Sequence, residues 1–236
     1  MNVLTIDIDY IMTDTIDSYN LNGSWSQDKY YKLNFEDLWK FYKNEIDYNF
    51  DQDKIFIDET RLNYALKVFE DYCDTAKVVE FGYYHDSILN HLESVDKVDI
   101  VNLDYHHDIS YDTDQKFFVD KYNTSSIASW VYWLYKNNKL SSYDWIGTPT
   151  SLQTKESVGV PRLYNFFSDY SYKFSDSYDY IFICLSPEFI PPKFWYVYDK
   201  FVAIASKHHK NIGFYNDVYH KPTNILGNIR ANKDTL

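Results

Sequence analysis

Short β-branched, apolar runs alternate along this chain with longer stretches whose apolar residues recur every three or four positions. The first pattern fits buried strands and the second fits amphipathic helices. Strands are predicted over residues 3–9, 76–80, 98–103, 143–146 and 178–185. Helices are predicted over 35–43, 61–74, 87–95, 125–138 and 195–208. Leu62, Leu66, Phe69 and Cys73 share one face of the second of these helices, and Ile127, Val131, Leu134 and Tyr135 share one face of the fourth. Pro191 and Pro192 open a turn or the last helix, and the tail from Ile212, with Pro222, reads as loop. Strands alternating with helices predict a three-layer αβα domain with a mostly parallel central sheet. No repeat, low-complexity tract or linker interrupts the pattern, so residues 1–236 read as one domain.

Composition narrows the picture. With 236 residues, 45% of them hydrophobic, the chain can bury a sizeable core. No apolar run is long enough to span a bilayer, and the first residues lack a basic region followed by a long apolar stretch. A cytoplasmic location is therefore expected, with no membrane partner. Cys73 and Cys184, the only cysteines, lie far apart, which fits a reducing compartment and leaves no disulfide framework or thiolate metal site. A formal net charge of -12 argues against a nucleic-acid partner, whose binding rests on Lys and Arg. It suits a cationic substrate or a metal cluster. The 25 tyrosines and 16 phenylalanines, with abundant Asn, Asp, Lys and Ile, read first as the mark of an AT-rich genome.

The chemistry gathers where strands end. The run from Val98 to Leu103 has buried character and stops abruptly in Asp104, His106, His107 and Asp108. Continued as an extended chain, it would turn Asp104, His106 and Asp108 to one side and His107 to the other. Two carboxylates and an imidazole are costly to bury unless a positive charge sits between them. Carboxylate and imidazole donors without thiolate suit Mn²⁺, Fe²⁺ or Zn²⁺. In parallel sheets, ligands bind beyond the carboxyl ends of the strands. Asp7 and Asp9 end the first predicted strand, His85 follows the second, and Glu188 follows the strand over 178–185. All of them are expected on one edge. Trp130, Trp133 and Tyr135 read most simply as packing, and His91 as an exposed helix residue.

These segments resemble the arginase/ureohydrolase superfamily, whose members bind two Mn²⁺ ions at the carboxyl ends of parallel strands. The family's Asp-x-His-x-Asp is matched by Asp104-Tyr-His106-His-Asp108, its upstream histidine by His85, and its Asp-x-Asp pair by Asp7-Ile-Asp9. The N-terminal place of that pair, and the late Leu185-Ser-Pro-Glu188, look like the peptide-arginase branch. The resemblance implies an arginase-like fold and hydrolysis of an arginine side chain, free or in a peptide, to ornithine and urea. It implies Asp104 and Asp7 as bridging ligands, His85 and Asp108 completing one metal, and His106 and Asp9 the other.

Water activated between the ions would attack the guanidinium carbon. Asp108 or His107 would protonate the leaving amine. Glu188 would pair with the planar guanidinium. Several family features are missing. The glycines before the first histidine are replaced by Gly82-Tyr-Tyr-His85, no Asp-Pro follows Asp9, and Ser125-Ser-Ile-Ala-Ser-Trp130 stands where the family has Ser-Gly-Asn-x-His. Two alternatives therefore stay open: a one-zinc amide hydrolase like the related deacetylases, and a catalytically silent binding or scaffold protein. Self-association is also left open.

Overall fold

Alternation along each strand sorts the apolar side chains into two rows, one on each face of a single sheet. The computed structural model describes residues 1–13, 55–111, 113–151, 161–168, 170–208 and 212–215. Its strands are β1 (Asn2–Asp7), β2 (Val78–Gly82), β3 (Val98–Leu103), β4 (Leu140–Ile146), β5 (Asn165–Phe167), β6 (Tyr180–Cys184) and β7 (Ile212–Tyr215). They lie in the order β5-β4-β3-β1-β6-β2-β7, and every pairing is parallel. The helices are α1 (Glu59–Cys73), α2 (Leu89–Leu92), α3 (Thr113–Tyr122), α4 (Trp130–Lys136) and α5 (Tyr196–His208). None among the described residues is long and apolar enough to cross a membrane.

Leu4, Ile6, Val79, Phe81, Val101, Leu103, Ile181 and Ile183 form one buried row, packed with Leu62, Phe69, Phe201 and Val202 of α1 and α5. Val3, Ile100, Tyr180 and Phe182 form the other, with Leu89, Val119, Trp130 and Leu134 of the remaining helices. This is a three-layer α/β fold. On the second face the row turns polar as it nears the carboxyl edge: Thr5 and Asp7 follow Val3, and Asn102 and Asp104 follow Ile100. Register pairs Thr5 with Asn102 and Ile6 with Leu103, so the next step sets Asp7 beside Asp104.

Several elements differ from the reading of the sequence. The strand predicted over 3–9 stops at Asp7, whose carboxylate accepts the Asp9 N–H at 3.2 Å and caps a 3-10 turn over Ile8–Ile11. The helix predicted over 125–138 begins only at Trp130, because Ser129 Oγ accepts the Ser126 N–H at 3.0 Å and holds a separate turn. A 3-10 turn over His85–Ile88 precedes the short α2. Three elements had no clear pattern. In α3 the one fully buried residue is Val119, which leaves no periodicity to read. The outer strands β5 and β7 are short and nowhere fully buried, so the stretch from Ile212 that read as loop begins with a strand. The predicted helix over 35–43 and Pro222 lie outside the described residues.

Candidate metal centre

Four adjacent strands, β3, β1, β6 and β2, supply the chemistry, all from their carboxyl ends. Asp7 closes β1. The capped 3-10 turn then folds Asp9 toward the end of β3, where its carboxylate takes the Tyr105 N–H at 3.1 Å and lies 2.7 Å from His106 Nδ1. Asp104 follows β3 and bends the chain by accepting the His106 N–H at 2.8 Å. Asp108 adopts the left-handed conformation, φ 51°. The expected convergence of Asp104, His106 and Asp108 thus comes from a tight turn and not from continued extension.

His85 enters from the other side, two residues beyond the loop start at Tyr83. Its Nε2 is 2.8 Å from Thr5 Oγ1. Phe182 stacks beside the ring at 6.2 Å, an approach that Gly82 permits, since a Cβ there would meet the Phe182 ring at 2.6 Å.

His85 Nδ1 carries the central observation. It lies 2.9 Å from Asp108 Oδ2, 3.1 Å from Asp104 Oδ2 and 3.4 Å from Asp7 Oδ2. It nevertheless makes no well-aligned hydrogen bond and is fully buried. Donors about 2.1 Å from one ion stand about 3.0 Å apart at right angles and about 3.4 Å apart at tetrahedral angles. The spacing is compatible with ligands around a shared centre. If Nε2–H donates to Thr5, the Nδ1 lone pair faces the carboxylates, the state a metal ligand needs.

Two groups of donor atoms, each gathered within 4.8 Å, could hold an ion: Asp7, His85 and Asp104, and Asp9, Asp104 and His106. Asp104 belongs to both. Asp108 is in neither group, but its Oδ2 lies 2.9 Å from His85 Nδ1. Of the expected residues, Asp7, Asp9, His85, Asp104 and His106 fall in these groups, with Asp104 in both, and Asp108 lies beside His85.

Electrostatics agree with that geometry. Burial, followed by the charges of Asp108, Asp9 and Asp7, pushes the Asp104 carboxyl well above the usual range. Burial and Asp9 also raise Asp7. Burial works against a charge on His85, yet the carboxylates of Asp104, Asp108 and Asp7 hold its pKa well above the ordinary imidazole value. Left to protons alone, the cluster must take them up; a divalent cation meets the same demand.

Supporting hydrogen bonds come from residues that carry no such role in the reading of the sequence: Asn102 is not singled out there, Ser186 is only part of the Leu185-Ser-Pro-Glu188 motif, and Trp130 reads as packing. Asn102 Nδ2 donates to Asp104 Oδ2 at 2.9 Å, and Ser186 Oγ donates to Asp7 Oδ2 at 2.5 Å. Trp130 Nε1 donates to Asp108 Oδ2 at 2.7 Å. The signal for Thr5 and Asn102 was present: each is a buried polar residue two places before a candidate ligand, on the same face of its strand.

His107 turns away from this cluster, although the chain here is a turn and not an extended strand. Its ring stacks on Tyr111 at 4.3 Å, and its Nδ1 accepts the Ile109 N–H at 3.1 Å. His91 is not simply exposed; it stacks on Tyr180 at 4.2 Å.

Glu188 sits in a turn after β6 and is buried, with Oε2 lacking any partner. Burial, with the charges of Asp7, Asp86 and Asp9, pushes its carboxyl up to about 8. No family model, curated protein or solved structure matches the chain significantly, so the site is read from its own residues.

Two predictions follow from the charge balance. A divalent cation at about 100 times its Kd should stabilise the protein by about 2.7 kcal/mol, or about 5–10 °C in Tm. Asp104→Asn, which removes the shared ligand, should nearly abolish that shift, whereas His106→Ala should keep part of it. No shift with Mn²⁺, Fe²⁺ or Zn²⁺ would contradict the site.

The second prediction concerns Glu188 in chelated protein. Its folded pKa of about 8 exceeds the unconstrained 4.5, so the folded state keeps a proton that the unfolded state has lost between those values. The stability this gives is complete below pH 4.5 and is lost as pH rises through about 8. Glu188→Gln should therefore melt higher than wild type at pH 8.5, and the difference should fade toward pH 5. A difference independent of pH would show the carboxyl to be solvated.

Proposed function

We propose that this chain is a two-ion metallohydrolase acting on a guanidino group. Its substrate would be arginine, free or within a peptide, and its products ornithine and urea. The observation that carries the guanidinium assignment is Glu188, a buried carboxylate with an unpartnered oxygen, placed where Asp7 and Asp9 act on it. A bound cation would draw off the proton that burial keeps on this carboxyl, and a planar fork of N–H donors pairs with the resulting carboxylate better than an ammonium does. The resemblance at Asp7, Asp9, His85, Asp104, His106 and Asp108 supports the same reading.

Asp7, His85, Asp104 and Asp108 would hold one divalent ion, and Asp9, Asp104 and His106 a second, with Mn²⁺ the first choice and Fe²⁺ or Zn²⁺ compatible with the donors. Bound ions would acidify water and supply positive charge where negative charge develops. The chain's own part is to orient and to exclude solvent. Glu188 fixes the guanidinium, and the buried turn from Asp104 to Asp108 keeps the ligands in place.

Hydrolysis breaks a C–N bond and forms a C–O bond, and the departing amine needs a proton. Trp130, in the segment where the resembled family has a histidine, cannot deliver one, because an indole N–H is a donor that does not titrate. Two donor groups around one carboxylate favour two ions over a single zinc. Cys73 and Cys184 are both buried free thiols, which suits action in the cytoplasm.

The test is urea release by Mn²⁺-loaded protein from arginine, agmatine and arginine-containing peptides. At least one should yield urea, and Glu188→Gln should lower kcat/KM roughly 10- to 100-fold through loss of a charge-assisted pair. Protein that binds metal but releases no urea from any of them would overturn the assignment.

A further inference from the structure

Trp130 was expected to be a packing residue, yet the structure ties it to His85 of one donor group and to the neighbouring Asp108. Its side chain is fully buried at the first position of α4. The indole Nε1–H donates to Asp108 Oδ2 at 2.7 Å, the same oxygen that lies 2.9 Å from His85 Nδ1. The indole ring packs on the His85 imidazole, 4.8 Å between centroids, with Phe182 beside that imidazole as well. The adjacent Val131 N–H donates to the Asp108 carbonyl at 3.1 Å. Asp108 therefore has both its backbone and its carboxylate fastened to the start of α4. That fastening holds a left-handed conformation that costs a non-glycine residue about 1–2 kcal/mol.

The other group is built differently. Asp9 is held by the Tyr105 N–H, and His106 lies against Asp9 and the Phe189 ring at 4.8 Å. These supports come from the segment after β3, the 3-10 turn after β1 and the turn after β6.

Resting on the two-ion reading, we infer that Trp130 is a positioning residue for one ion only: it sets the affinity of the ion held by Asp7, His85, Asp104 and Asp108. It does so by fixing the Asp108 carboxylate and the His85 ring together. Partners of this kind, hydrogen-bonded to a ligand and not to the metal, change affinity about 10- to 100-fold when removed.

Trp130→Phe keeps a ring against His85 and removes only the N–H. Mn²⁺ titration followed by calorimetry and electron paramagnetic resonance should show two ions in the wild type, with the spin-coupled signal of a pair. In Trp130→Phe one ion should bind as before with an uncoupled six-line signal, and coupling should need about 10- to 100-fold more Mn²⁺.

Trp133→Phe is the control for a structural role. It removes an indole hydrogen bond from the same helix, 2.9 Å to the Asn123 carbonyl, and should leave both ions unchanged. Trp130→Phe added to Asp108→Asn should cause no further loss. Should Trp130→Phe not fold, the wild-type indole ¹⁵N–H resonances serve instead: Trp130 should shift with the ion that Asp108 binds during Zn²⁺ titration, and Trp133 should not.

Two ions bound by Trp130→Phe with wild-type affinity, equal weakening of both, or an unmoved Trp130 resonance would overturn the inference and leave the two-ion site standing. A wild type that takes up no metal would overturn both.

Discussion

Four carboxylates, those of Asp7, Asp9, Asp104 and Asp108, are buried together at one edge of a parallel sheet, and this charge sets the terms for everything around it. At an effective dielectric near 20, two such charges about 4 Å apart repel by about 4 kcal/mol. A hydrogen bond returns about 1 kcal/mol net. The donors supplied by Asn102, Ser186, Trp130 and the backbone therefore orient the carboxylates but do not balance them. Positive charge must enter the cluster. The His85 imidazole answers part of the demand, and its Nδ1, crowded by three carboxylate oxygens and aligned with none, marks a place that could hold a cation.

The fold makes this concentration of charge feasible by bringing four strand ends side by side. Inserting β6 between β1 and β2 carries Ser186 to Asp7 and sets Glu188 within the field of the same carboxylates. The helices on the second face then close the cluster from below. Through Trp130, α4 acts both as core and as a support for Asp108, so a single buried side chain links packing to the chemistry of the edge.

Much of this could be read from residue order. An apolar strand that ends in Asp104, and another that ends in Asp7, already imply a shared polar edge, because parallel strands end on the same side. The turn geometry was not legible. Extended alternation and a tight turn both bring Asp104, His106 and Asp108 together, and only the structure shows the left-handed Asp108 and the cap of Asp7 on the Asp9 N–H. Trp130 was hidden for another reason: a tryptophan on the apolar face of a helix has the same sequence signature whether its N–H meets a backbone carbonyl, as for Trp133, or a ligand carboxylate. The outer strands β5 and β7 carry no periodic burial, so no pattern announced them.

In the two-ion reading the Asp104 carboxylate would be shared between two cations. Anomalous diffraction from crystals grown with Mn²⁺ tests it directly. Two peaks about 3.5–4 Å apart, one on each side of Asp104, are the result predicted. One peak away from Asp104, or none in the cluster of Asp7, His85 and Asp104, would contradict it.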